Sequence, residues 1–162
     1  MPGLEDLYRE IILDHYRSPR NRGELSVPPA RRAEGFNPLC GDEVVLYVDV
    51  EGDGDTATVT DVKIAGQGCS ISQASASMMS AAIKGKSLHE VRHLIRAFKA
   101  MMSIHEHKLE GEGDDDALAR EIEGVSLGDL EALQGVVKFP VRIKCATLAW
   151  NTLQQGLDDS PE

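Results

Sequence analysis

Apolar residues in the first stretch of the chain fall at Leu4, Leu7, Tyr8, Ile11, Ile12 and Tyr16, with Glu5, Asp6, Arg9 and Glu10 between them. That spacing marks one face of an amphipathic helix over residues 4–16. Pro19 and the run Asn21-Arg22-Gly23 end the helix and open a loop. The period then changes from 3.6 to 2. Val44, Leu46, Val48 and Val50 alternate with Val45, Tyr47 and Asp49, which predicts a strand with one face buried. Glu51-Gly52-Asp53-Gly54-Asp55 supplies a hairpin turn, and the β-branched stretch 56–64 the returning strand. A change of phase between Val59 and Val62 predicts a bulge in it.

Ala65-Gly66-Gln67-Gly68-Cys69 breaks that strand, and Ser70 or Ser72 can cap a helix running to about residue 84, where Gly85 stops it. This helix is crowded with small residues (Ala74, Ser75, Ala76, Ser77, Ser80, Ala81, Ala82), which permits close approach of a neighbouring backbone. Ser87-Leu88-His89-Glu90 is a capping box that opens another helix, with Leu88, Val91, Leu94, Ile95, Phe98, Met101 and Met102 on its apolar side. A second box, Ser126-Leu127-Gly128-Asp129, starts a short helix, and Pro140 suits the first turn of a last helix over about 140–155. Helix, hairpin, then helices predicts an α+β fold in which a small antiparallel β-sheet has one face covered by helices.

Composition narrows the function classes. The 162 residues make one domain of ordinary size, 41% hydrophobic, with enough chain to bury a core without disulfides. Aromatics are scarce at 4%, so aliphatic residues and methionine must fill the interior. The net charge of −10 argues against nucleic acid or an anionic membrane as partner. No apolar run approaches the roughly 20 residues of a membrane span, and the first residues lack a signal-peptide layout, so a cytoplasmic location is expected. The charge is uneven. Residues 17–32 carry five arginines and one glutamate, whereas residues 106–124 carry eight acids and two bases, which reads as an acidic surface insertion, a loop with a short helix at 118–122.

There are three cysteines, Cys40, Cys69 and Cys145. An odd number without an export signal does not suggest a disulfide framework, and the intervals of 28 and 75 residues match no paired-cysteine motif. Local context carries more. Cys40 precedes the first hairpin strand and Cys69 follows the second, so antiparallel pairing puts both at one end of the hairpin. Cys69 also stands near a helix N-terminus, where unpaired N–H groups favour thiolate. Cys145 lies in the second turn of the last helix, flanked by Lys138, Arg142 and Lys144. With Asp42, the three thiolates make a tetrahedral donor set suited to zinc. The alternatives stay open at this point: each cysteine as a small buried hydrophobe, and Asp42 as a turn residue bonded to its own backbone. His89 and His93 lie opposite the apolar arc of their helix and read as solvent-exposed, while His15 falls on the core side of the first helix. His105 and His107 form no pattern, and no Ser-His-Asp arrangement or phosphate loop is visible.

Four ordered segments nevertheless resemble one family over nearly the whole chain. They are Leu7-Tyr8-Arg9-Glu10-Ile11-Ile12-Leu13-Asp14-His15-Tyr16 with Pro19-Arg20-Asn21; Asn37-Pro38-Leu39-Cys40-Gly41-Asp42; Gly66-Gln67-Gly68-Cys69-Ser70-Ile71-Ser72 with Ala74-Ser75 and Ser77-Met78-Met79; and Phe139-Pro140-Val141-Arg142-Ile143-Lys144-Cys145-Ala146 with Leu148-Ala149-Trp150. The sequence resembles the SufU branch of the IscU/NifU-N-terminal-like iron–sulfur assembly proteins. That resemblance implies a single α+β domain over 1–162, with a sheet of about three strands and an acidic insertion at about 106–124. It implies a zinc site formed by Cys40, Asp42, Cys69 and Cys145. It also implies a sulfurtransferase role: Cys40 accepts persulfide sulfur from a pyridoxal-phosphate-dependent cysteine desulfurase of the SufS type, Arg142 assists, and a downstream iron–sulfur scaffold receives the sulfur. Scaffold relatives usually carry histidine immediately before the third cysteine, where this chain has Lys144, and they lack the insertion. The alternative the family offers is a scaffold that builds a [2Fe–2S] cluster on the same ligands.

Overall fold

A computed structural model describes residues 4–27, 30–38, 41–110, 128–138 and 140–158. The described elements run α1 (Leu4–Arg17), β1 (Arg31–Asn37), β2 (Asp42–Glu51), β3 (Thr58–Gln67), α2 (Ser70–Ile83), α3 (Leu88–Glu110), a 3-10 segment (Gly128–Lys138) and α4 (Pro140–Asp158). The three strands form one antiparallel sheet in the order β1-β2-β3. The expected hairpin is β2-β3, and its register shifts between Asp49 and Val50, leaving Thr60 unpaired opposite. This is the bulge that the change of phase predicts. The strand continues through Gln67 rather than breaking at Ala65.

β1 is the strand whose sequence hides it. Its inward positions are Ala33, Gly35 and Asn37, too small or too polar to signal alternation. The reason is α4, which packs directly against this edge. A side chain at Gly35 would collide with Thr152 and Leu148, and one at Gly156 would crowd Ala33. Small residues are therefore the requirement of that contact, and they erase the hydrophobic pattern that sequence reading depends on.

The helices cover one face of the sheet. Val44, Leu46, Val48, Val59, Val62 and Ile64 join Met79, Ile83, Phe98, Met101, Leu133 and Trp150 in one core. On α1, Tyr8, Ile11 and Ile12 pack against it, whereas Tyr16 projects into solvent. All seven apolar positions expected on α3 are buried. Its capping box forms as predicted, with Glu90 N–H donating to Ser87 Oγ at 3.2 Å and Ser87 N–H donating to Glu90 Oε1 at 3.1 Å. The Ser87 N–H, joined by the Ser87 hydroxyl donating to the same Oε1, holds the Glu90 carboxyl below its ordinary pKa. α3 reaches Glu110, so residues 106–110 of the acidic stretch are helical rather than loop. The short helix expected at 118–122 and the cap at Ser126 lie outside the described residues. Among the described residues, no helix is long and apolar enough to cross a membrane.

The small residues of α2 have a definite use. Ser75, fully buried, donates its hydroxyl to the Ala146 carbonyl at 2.6 Å and accepts the Trp150 indole N–H at 3.1 Å. Trp150 in turn stacks on Phe98, with ring centroids 4.5 Å apart. One hydroxyl thus fixes the height of α4 against α2, and with it the position of Cys145. Ser75→Ala leaves the buried indole donor unpaired and should lower stability by about 1–3 kcal/mol. Urea unfolding followed by the fluorescence of the single tryptophan measures this; a midpoint equal to that of the unsubstituted chain contradicts it.

Candidate functional site

Three elements meet at one end of the sheet. Asp42 is the first residue of β2, opposite Asn37 at the end of β1. The antiparallel register pairs Glu43 with Gln67, so Cys69, two residues beyond β3, arrives beside Asp42. Cys145 comes from α4, held against β1 and α2 by the contacts just described. One ligand atom from each of Asp42, Cys69 and Cys145 lies within 4.8 Å of the others. Hairpin register and the docking of α4 therefore bring together residues that lie 27 and 76 positions apart in sequence (69 − 42 and 145 − 69).

Each donor is oriented by a backbone or side-chain partner. Asp42 is fully buried, and its Oδ1 accepts the Cys69 N–H at 2.8 Å while Oδ2 lies 3.8 Å from Cys69 Sγ. One carboxylate oxygen is thus spent on positioning and the other faces the thiols. Cys69, half-buried, is itself the N-cap of α2, and its Sγ accepts the Ser72 N–H at 3.4 Å. This corrects the expected cap at Ser70 or Ser72: the sulfur takes that role, and the helix N-terminus supplies it with positive potential. Cys145 is completely buried, and its Sγ receives the Asn37 side-chain amide at 3.8 Å. Asn37 is a contributor that the sequence reading did not single out; an amide at an inward strand position was the signal available.

Arg142, one turn before Cys145, is exposed at the mouth of the site. The negative charge of the Cys69 thiolate beside it pushes its guanidinium further up in pKa, hydrogen bonding to Cys69 adds to this, and Cys145 contributes in the same sense. Lys144 points to solvent. Arg22 reaches the same end of the fold, donating to the Gly66 carbonyl at 3.0 Å and to Gln73 Oε1 at 3.2 Å, and so braces the turn that carries Cys69. Cys40, expected as a further donor, lies outside the described residues.

The donor set fits a metal ion. Tetrahedral zinc with Zn–S near 2.3 Å and Zn–O near 2.0 Å separates its ligand atoms by about 3.3–3.8 Å, close to the 3.8 Å between Cys69 Sγ and Asp42 Oδ2. Two thiolates with one carboxylate select zinc or iron over calcium or magnesium. As ligands these donors are anionic, and a divalent cation would compensate that charge where water is largely excluded.

The histidines are accounted for otherwise. His89 is exposed and His93 half-buried, neither near the thiols' cluster. His15 is buried, and its Nε2 donates to Asp129 Oδ2 at 2.9 Å while its Nδ1 accepts from Ser77 Oγ at 2.8 Å, the tautomer assigned from these partners. A Ser-His-Asp line invisible in the sequence is therefore present. Ser77 is fully buried and also accepts the Arg20 N–H at 2.8 Å, so the line ties α1, α2 and the 3-10 segment together and offers no accessible nucleophile.

Gly68 gives the sharpest check on this geometry. A Cβ there would stand 2.5 Å from Asp42 Oδ1 and 3.0 Å from Asp42 Cα. Gly68→Ala should displace the carboxylate and weaken metal binding about 10- to 100-fold, with helical circular dichroism unchanged. Titration with Co²⁺ reads the affinity; equal affinity in the two proteins contradicts the assignment of Asp42 as a positioned donor.

Comparison with known proteins places this arrangement. The family model described as the NifU-like N-terminal domain matches residues 7–146. A zinc-dependent sulfurtransferase SufU of Bacillus subtilis is 45% identical over 154 residues, covering 95% of this chain and 91% of that protein. An iron–sulfur cluster assembly scaffold protein IscU of Streptococcus pyogenes is 38% identical over 157 residues, covering 97% and 86%. Among solved structures, a candidate iron–sulfur cluster assembly scaffold protein for the SUF system from Fervidobacterium islandicum superposes with a TM-score of 0.65 at 33% identity, covering 96% of this chain and 99% of that one. The three-stranded sheet, its helical cover and the cluster of Asp42, Cys69 and Cys145 are thus found in a chain that belongs to the NifU-like N-terminal domain family.

Proposed function

We propose that this chain serves iron–sulfur cluster assembly as a zinc-dependent sulfur acceptor, taking sulfur from a cysteine persulfide on a desulfurase and passing it to a downstream scaffold. The observation that carries this reading is the convergence of Asp42, Cys69 and Cys145, with the Arg142 guanidinium within electrostatic reach of both sulfurs. The names of the relatives support it, one a zinc-dependent sulfurtransferase and another an assembly scaffold.

In this reading Cys40 completes the donor set. It stands two residues before Asp42, and residues two apart have Cα atoms no more than about 7 Å from each other. Zinc held by Cys40, Asp42, Cys69 and Cys145 would supply positive charge that favours the thiolate form of its ligands. The chain's own groups do the rest. The Cys40 thiolate attacks the outer sulfur of the donor persulfide. A new S–S bond forms at Cys40, the donor's S–S bond breaks, and the electron pair leaves on the donor cysteine as thiolate. No net oxidation occurs, so no further reactant is required. Arg142, exposed and positively charged, offsets the anionic charge of donor and acceptor at the mouth of the site.

The second reading, a [2Fe–2S] scaffold on the same ligands, has the IscU relatives behind it. Lys144 weighs against it: the residue before Cys145 is exposed, and an ammonium group is no ligand for iron.

Under anaerobic conditions, the purified chain should carry one zinc and gain one sulfur atom, located on Cys40, when incubated with a cysteine desulfurase and cysteine; intact-mass and peptide mass spectrometry read both. Cys40→Ala should abolish the gain, and Arg142→Ala should slow it roughly tenfold or more. A chain that takes up no sulfur while binding zinc contradicts the sulfurtransferase reading. A stable, transferable cluster after reconstitution with iron and sulfide favours the scaffold.

A further inference from the structure

Asn37 occupies an unusual position for its chemistry. It is an inward-facing residue at the end of an edge strand, only 6% exposed, where the two preceding inward positions are Ala33 and Gly35. An apolar side chain of the same volume would fill that space without the cost of desolvating an amide. What the amide provides is a donor aimed at sulfur: Nδ2 reaches Cys145 Sγ at 3.8 Å. The same residue's main-chain carbonyl accepts the Gly41 N–H at 2.9 Å. Its ladder partner is Asp42. Asn37 therefore touches the machinery three ways: Cys145 through its side chain, Gly41 through its carbonyl, and Asp42 through the sheet.

The two described sulfurs are matched in this respect. Cys69 Sγ receives the Ser72 backbone N–H and Cys145 Sγ receives the Asn37 amide. A hydrogen bond to a thiolate withdraws electron density from it, which lowers its nucleophilicity while it remains a ligand. A backbone N–H cannot be changed by substitution, but Asn37 can. We propose that Asn37 is a positioning residue of the metal centre: its side-chain amide fixes Cys145 as a retained, weakly nucleophilic ligand.

This inference rests on the metal-centre reading above, and the two are separated by using Co²⁺ alone as the probe of the full chain. The unsubstituted protein should show the intense sulfur-to-cobalt charge-transfer absorption of thiolate ligation. In Asn37→Leu, which keeps the branching of the side chain and removes the donor, that band should move to lower energy and Co²⁺ affinity, measured by chelator competition, should fall about tenfold. Asn37→Asp, which keeps the shape and puts negative charge beside the thiolate, should weaken affinity further than Asn37→Leu. A residue needed only for packing would not move the energy of the band. Wild-type band energy and affinity in both variants overturn the role of Asn37 and leave the metal centre standing. Absence of the band from the unsubstituted chain overturns both. If neither variant folds, the wild-type chain loaded with ¹¹³Cd decides by NMR. One Asn37 side-chain N–H proton should be coupled to cadmium through the sulfur, and no coupling in the folded, loaded protein overturns the proposal.

Discussion

A carboxylate with no solvent exposure, hydrogen-bonded to the backbone of the residue that caps the next helix, is the constraint around which this end of the molecule is organised. Asp42 Oδ1 accepts the Cys69 N–H, and that single bond does several things. It sets the spacing between the start of β2 and the start of α2. It requires Gly68 to lack a side chain. It turns the second carboxylate oxygen toward the Cys69 sulfur, so that metal ligation here would gather negative charge in a largely buried place. In a medium of low polarity that charge must be answered, and the N–H groups of Ser72 and Asn37 with the Arg142 guanidinium answer only part of it. A divalent cation would supply the remainder, so donor geometry and electrostatics point the same way.

The rest of the fold can be understood as the means of delivering Cys145 to that carboxylate. α4 must lie close against both the sheet edge and α2, and small residues allow this on each side: Ala33 and Gly35 on β1, and Ser75 on α2. Close packing of this kind transmits position accurately, because a buried hydroxyl or a missing Cβ leaves little room for adjustment. The stack of Phe98 on Trp150 then couples α3 to the same helix. Substitutions far from the sulfur atoms should therefore act on them through the placement of α4.

Much of this was legible in the sequence, and the parts that were not share a cause. Helices with a continuous apolar face, such as α3, and the alternating strand β2 announce themselves through periodicity. The bulge opposite Asp49 was visible as a slip in that period. β1 was not, because contact with α4 excludes the large apolar residues that make alternation readable. Cys69 as a cap was missed because sulfur is an uncommon acceptor at a helix start and two serines follow it. The Ser77–His15–Asp129 line was missed because its members come from α1, α2 and the 3-10 segment, and only the tertiary packing brings them into range. The grouping of Asp42, Cys69 and Cys145 was within reach for the opposite reason: hairpin register already forces two of the elements together, and the family resemblance supplied the third. Asn37 escaped notice because a polar residue beside a proline turn is ordinarily read as part of the turn.

The central proposal is that one zinc ion is held by three thiolates and one carboxylate gathered from three segments of the chain, at residues 40–42, 69 and 145. X-ray absorption at the zinc edge of the purified protein tests it most directly. The account predicts a first shell of three sulfur atoms at about 2.3 Å and one oxygen at about 2.0 Å. A shell of nitrogen and oxygen alone, or zinc absent from a chain whose thiols are all reduced, would contradict it.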